Sequence, residues 1–183
     1  MLISIESVEK KFPGQMPISG EAFAHVAIIM NGGDFDFYCN ILELFAWFMK
    51  NIVAIKMSDV PKELIACDGG FLSIDAYYKK LDNYINDDSD QNAWDEFECL
   101  RDRVLEFREV HDIVFALRGI NIPSLYFAKY RNKYFAVACI NGVECVDKVD
   151  LDSMLETIED ILQNEGGRYF GDGVWKNKLT ING

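Results

Sequence analysis

The chain has 183 residues, 50% of them hydrophobic and 13% aromatic, which suits one packed domain and excludes a disordered chain. Thirty acidic residues against 18 basic give a net charge of −12. Such a surface repels phosphate backbones and anionic membranes, and it steers basic proteins or cationic ligands inward, although acidity also serves plain solubility.

Leu2 to Val8 alternates apolar and polar residues and predicts a short strand, followed by a loop at Pro13-Gly14 and Pro17. Ala22 to Met30 predicts a second strand that stops at the turn signal Asn31-Gly32-Gly33. Only Asp36, Glu43 and Lys50 interrupt the next stretch, Phe35 to Ile55 (FDFYCNILELFAWFMKNIVAI). Apolar nearly all round, it predicts a helix at the centre of the core, or one lying half in an interface between copies. The carboxylate of Asp34 or Asp36 would cap its first turn. A membrane span needs about 20 apolar residues, and the three charges argue against one here.

Ser73 is placed to cap a helix from Ile74 to about Ile85, with Ile74, Tyr77, Tyr78, Leu81, Tyr84 and Ile85 at helical spacing. The segment Asn86 to Asn92 has no apolar residue and predicts an exposed loop. From Asn92 to Arg118, Trp94, Phe97, Leu100, Val104, Phe107, His111, Val114 and Leu117 recur every three or four residues. That predicts one kinked helix, or two joined near Glu109–His111 with Asp112 as a second cap. Gly119 and Pro123 provide the stop. Leu125 to Tyr130, Lys133 to Ile140 and Val143 to Val146 predict an antiparallel meander turned at Arg131-Asn132 and Asn141-Gly142. Asp150 or Asp152 opens a last amphipathic helix, with Ser153 to Glu156 as a candidate capping box and Gly166-Gly167 at its end. A small hairpin at Gly171-Asp172-Gly173 would follow. The elements add up to a single α+β domain over residues 1–183: an antiparallel sheet, including the three-strand meander, packed against a buried apolar helix and amphipathic helices.

The sequence carries no hydrolase elbow, zinc-protease or P-loop motif. His25 falls in an apolar strand and His111 on the apolar side of a helix, so both are expected as core or helix-end histidines. Glu21 and His25 would stand about 13 Å apart on a strand, too far to share a metal. Asp34-Phe35-Asp36 matches a short cation-binding triplet, but capping accounts for it better. Asp87, Asp88 and Asp90 lack the EF-hand spacing. Five scattered cysteines (Cys39, Cys67, Cys99, Cys139, Cys145) form no CxxC pair and suit a reducing compartment. The opening MLISIESVEKK lacks the order of a signal peptide. A cytoplasmic protein with no catalytic residues, cofactor or metal is the expectation.

Charge placement is more informative than any motif. Residues 81 to 100 hold seven acids and no base, and residues 144 to 165 hold eight acids against Lys148 alone. Residues 113 to 143 hold no acid but four bases: Arg118, Lys129, Arg131 and Lys133. If the two acidic blocks meet in space, they form a face suited to capturing a basic protein; otherwise they are ordinary outer faces of helices. Asp87, Asp88, Asp90, Asp95, Glu96 and Glu98 are the first candidates for contact, and Glu156, Glu159 and Asp160 the second. A different expectation is a small-molecule or enzymatic pocket lined by Tyr38, Trp47, Tyr77, Trp94 and Tyr126.

The passage FALRGINIPSLYFAKYRNKYFAVACINGVE (Phe115 to Glu144) and the aromatic stretch FYCNILELFAWFMKN (Phe37 to Asn51) resemble immunity proteins of bacterial toxin systems of the contact-dependent growth inhibition type. The resemblance implies a non-catalytic α+β inhibitor that covers the active site, or a nearby surface, of one cognate toxin domain. Were that toxin a nuclease, it would be basic, and an acidic inhibitor would mimic its nucleic-acid substrate. No residue role carries over by position.

Overall fold

The computed structural model describes residues 1–7, 23–86, 91–160 and 179–182. Strand β1 (Leu2–Ser7) is followed by β2 (Phe23–Met30), β3 (Gly33–Asn40) and α1 (Ile41–Met57). After a 3-10 turn at Lys62–Leu64 come α2 (Ile74–Asn86) and α3 (Gln91–His111), then a second 3-10 turn at Ile113–Phe115. The meander β4 (Leu125–Tyr130), β5 (Lys133–Ile140) and β6 (Val143–Val149) leads into α4 (Leu151–Asp160), and β7 (Leu179–Asn182) is the last strand.

The strands form two antiparallel sheets rather than one. A four-stranded sheet runs β3-β2-β1-β7 and a three-stranded sheet runs β4-β5-β6. In the first, Val26 stands opposite both Ile5 and Phe37, and Ile3 opposite Ile28 and Ile181. Because side chains alternate along a strand, Ile3, Ile5, Ala24, Val26, Ile28, Phe37, Cys39 and Ile181 all face one core. The second sheet is turned by two tight loops with positive φ at both central residues, Arg131 (50°) with Asn132 (59°) and Asn141 (52°) with Gly142 (81°). That is the twist-matching geometry asparagine and glycine tolerate best.

The three-stranded sheet lies between two packing layers. Leu125, Phe127, Ala136, Ala138 and Ile140 pack with the four-stranded sheet, α1 and α4. Tyr126, Ala128 and Val137 pack on the other face with Val104 and Phe107 of α3 and Ile74, Tyr77 and Leu81 of α2. The α+β architecture and the meander match the expectation, and β6 runs three residues further than predicted.

The apolar stretch at residues 35–55 is not a helix throughout. Residues 35–40 continue β3, and the chain passes from strand to helix at Asn40 with no intervening loop. The Asn40 side chain accepts the Leu42 N–H at 3.3 Å and donates to Glu43 at 3.3 Å, so Asn40 caps α1 in place of Asp34 or Asp36. Those two aspartates sit on β3, exposed on one face. Helix α1 buries Ile41, Leu44, Phe45, Phe48, Ile52 and Ile55. Glu43, Ala46, Lys50, Val53 and Met57 remain exposed along one stripe, so the helix is not covered on every side.

Other ends are now resolved. Ser73 caps α2 through the Ala76 N–H at 3.2 Å, as predicted. Asp112 opens the second 3-10 turn through the Val114 N–H at 3.2 Å, which selects two helical segments over one kinked helix. Asp150, not Asp152 or Ser153, caps α4 by accepting the N–H groups of Asp152 and Ser153, each at 3.1 Å. The loop at Pro13-Gly14, the far end of the last helix and the hairpin at 171–173 lie outside the described residues.

Candidate functional site

Helix α3 is the longest helix, and its apolar positions decide how it lies. Phe97, Leu100, Val104 and Phe107, spaced by three or four, face α2 and the three-stranded sheet. The Tyr77 O–H donates to the Leu100 carbonyl at 3.2 Å, and Arg103 pairs with Glu63 in the first 3-10 turn. With that face fixed, Asp95 and Glu98 point away from it, while Glu96, one turn before Leu100, lies at its edge; all three are exposed. Trp94, one residue before them, is 46% exposed, and its ring makes a T-shaped pair with that of Phe97 at 5.8 Å. Toward the other end bases return, with Arg101 paired to Asp102 at 3.0 Å.

Asp87, Asp88 and Asp90 lie outside the described residues. Glu156 and Asp160 are exposed on α4 and Glu159 is half-buried. Because α4 packs with the opposite face of the three-stranded sheet from α3, the described acids of α3 and those of α4 lie on opposite sides of that sheet.

Much of the second block serves the fold itself. Glu144 receives the Ser73 N–H at 2.8 Å and its O–H at 2.6 Å, so it steadies the start of α2. Asp147 accepts the Asn31 N–H at 3.2 Å with either carboxylate oxygen and thereby ties the two sheets together. Asp150 caps α4, and Asp152 pairs with Lys56 of α1. The exposed acids of α3's second turn thus form the plainer candidate surface. The long-range partners of Glu144 and Asp147 carry no sequence signal, since they depend on which strands meet.

The other candidates separate. His25 is not a core histidine: on the outer face of the four-stranded sheet, its Nε2 lies 2.7 Å from Asp36 and its ring 4.8 Å from that of Tyr38. His111 is buried, as expected. Its Nδ1 bonds the Phe107 carbonyl at 2.8 Å, it stacks on the Phe107 ring at 3.9 Å, and its Nε2 has no partner among the described residues. Burial pushes its pKa down, against the pull of the Phe107 carbonyl.

Next to it, buried Asp112 accepts from Ser124 at 2.6 Å and from Arg108 at 3.0 Å. Burial raises its pKa, while Ser124, Arg108 and the Val114 N–H oppose the rise. Burial would lower the pKa of Arg108, but Tyr78 and Asp112 outweigh it and raise it. The Tyr126 hydroxyl donates to the Leu72 carbonyl at 2.6 Å, and burial, then the charges of Glu144 and Asp112, keeps it firmly protonated. These groups hold α3, the second 3-10 turn and β4 together.

The five aromatic residues suggested as a pocket lining do not converge. Tyr38 is on the outer sheet face and Trp94 on the α3 surface. Trp47 borders the core between the sheets, and Tyr77 and Tyr126 fill the core beneath α2 and α3. Among the described residues, no group of three His, Cys, Asp or Glu side chains could hold a metal ion, and no helix is long and apolar enough to cross a membrane. Cys39 and Cys145 are buried thiols, and Cys67 and Cys99 are exposed ones.

The chain matches no protein-family model, no curated protein and no solved structure.

Proposed function

We propose that the chain is a cytoplasmic bacterial immunity protein that binds one cognate toxin domain and neutralises it without catalysis. The observation carrying this is the set of exposed carboxylates Asp95, Glu96 and Glu98, next in the chain to the partly exposed Trp94, in the second turn of α3. An exposed aromatic side chain with carboxylates on the same helical turn and the next suits a basic protein surface, because Trp is enriched at binding hot spots and acidic groups speed and orient a cationic partner. A basic nuclease domain is the partner this chemistry fits best.

The experiment pairs the chain with the toxin domain encoded next to its gene. Binding is followed by calorimetry from low to high salt, and protection by survival of cells expressing the toxin. The triple charge reversal Asp95→Lys, Glu96→Lys, Glu98→Lys is expected to weaken binding by about tenfold or more and to abolish its salt dependence. Binding that ignores both salt and the reversal would remove the acidic surface from the proposal. A neighbouring product that neither binds nor kills would remove the toxin.

A further inference from the structure

At the β4–β5 turn the three-stranded sheet ends in a cluster of rings framed by cations. The ring of Phe71 lies 5.8 Å from that of Tyr130 and 4.9 Å from that of Phe135. Strand register sets Lys133 opposite Tyr130 and Lys148 opposite Phe135. Residues two apart on a strand share a face, so these four side chains form one surface, on the side of the sheet that carries α2. In the turn itself, the Arg131 guanidinium lies 4.9 Å from the centre of the Tyr130 ring. The three rings are half-buried, whereas Arg131, Lys133 and Lys148 are exposed.

The neighbouring cation on β4 is already engaged: Lys129 faces Asp59 at 3.7 Å. Among the described residues, Arg131, Lys133 and Lys148 make no ion pair. The carboxylate next in register is Asp150, one step past the last pair, Tyr134 with Val149. One of its oxygens is taken by the N–H groups of Asp152 and Ser153.

We propose that this surface binds an acidic segment of a partner protein. Carboxylates would engage Arg131, Lys133 and Lys148, and an apolar side chain would lie against Phe71, Tyr130 and Phe135. Charge complementarity chooses the sign of the occupant. The rings supply rigid area that stays well ordered on binding, as Tyr does at many interfaces. A short acidic segment meets only this patch, while a long nucleic acid would also meet the repulsion of a chain with net charge −12. None of these residues belongs to the acidic surface of α3, so the proposal stands apart from the toxin-binding one.

Fluorescence anisotropy with the full chain tests it. The probes are a labelled decapeptide of alternating Glu and Phe, its Lys-Phe counterpart and a labelled deoxythymidine decamer. The acidic peptide is expected to bind, and the Lys133→Glu, Lys148→Glu double variant to weaken it by about tenfold or more. Lys133→Arg with Lys148→Arg should retain binding. So should Lys79→Glu with Lys80→Glu, the same change of charge on the exposed face of α2. Failure of the acidic peptide to bind, an equal loss in the Lys79/Lys80 variant, or tighter binding of the thymidine decamer would overturn the proposal. If the Lys133/Lys148 Glu variant does not fold, acetylation footprinting of the unmodified chain decides: protection of Lys133 and Lys148 by the acidic peptide supports the site, and equal reactivity overturns it.

Discussion

Away from its β4–β5 turn, the three-stranded sheet is covered on both faces, by α1 and the other sheet on one side and by α2 and α3 on the other. The four-stranded sheet has its core on one face, while His25, Ile29, Asp34, Asp36 and Tyr38 stand on the other. Burial on two sides favours polar groups that find a partner, although His111 Nε2 has none among the described residues. The polar groups that survive at the margin of the enclosed sheet, Asp112, Ser124 and the Tyr126 hydroxyl, are therefore bonded to one another or to backbone. On the open sheet the side chains are free of that demand, and a histidine–aspartate pair beside a tyrosine persists in contact with solvent. A polar residue in the first setting maintains structure; in the second it is open to a partner.

The sharpest way to break this contrast is to truncate one large ring in each setting. Phe127 is 2% exposed and meets Phe48 edge-on at 5.7 Å. Phe127→Ala is expected to cost about 3–5 kcal/mol. Tyr38, 58% exposed, should cost within about 0.5 kcal/mol when changed to Ala. Urea unfolding of both variants measures the difference, and equal costs would mean that the outer face is covered after all.

A smaller effect is expected at the margin of the enclosed sheet. Asp112→Ala removes the carboxylate that Arg108, Ser124 and the Val114 N–H share. The loss should be on the order of 3 kcal/mol, mostly from leaving the Arg108 charge without its partner. Thermal unfolding checks it, and a variant as stable as the parent would show that this network contributes nothing net.

The mildest effect belongs to His111. Its folded pKa lies below the unfolded value of 6.5, so the unfolded chain takes up a proton first as pH falls. Stability is full above about 6.5 and declines as pH drops from there through the folded value. Asp112 acts in the opposite sense, since its folded pKa is raised and stability falls as pH climbs from the unfolded value of 3.8. His111→Phe should therefore flatten the acid-side slope between pH 6.5 and 5 in denaturant titrations. An unchanged slope would assign the acid sensitivity elsewhere.

How far the sequence can be read follows from the same contrast. The meander was legible because Arg131-Asn132 and Asn141-Gly142 are local turn signals, and the amphipathic helices because their spacing is helical. Residues 35–40 misled because apolar content hid a period of two. Phe35, Phe37 and Cys39 turn inward, and Asp34, Asp36 and Tyr38 turn outward. Read for alternation rather than for hydrophobicity, GDFDFYCN is a strand with one wet face. The exposure of Asp95 and Glu98 was legible, because the spacing of Phe97, Leu100 and Val104 sets the direction of those side chains; Glu96 shares a face with Leu100, and its exposure was not. The division of the strands into two sheets was not, nor were the bonds of Glu144 to Ser73 and of Asp147 to Asn31. Each depends on contacts between distant segments that no local pattern encodes.

The junction at Asn40 bears on the order in which the fold forms. β2, the turn at Asn31-Gly32, β3 and α1 run without interruption from Phe23 to Met57, and a single side chain ends the strand and starts the helix. Every pairing within that run closes only a short loop, so its entropic cost is small. The strand on the far side of the same sheet is the reverse case, since Ile3 must find Ile181 across most of the chain. The hairpin with its attached helix therefore carries the smallest loop-closure cost in the sheet, and the pairing of β1 with β7 the largest.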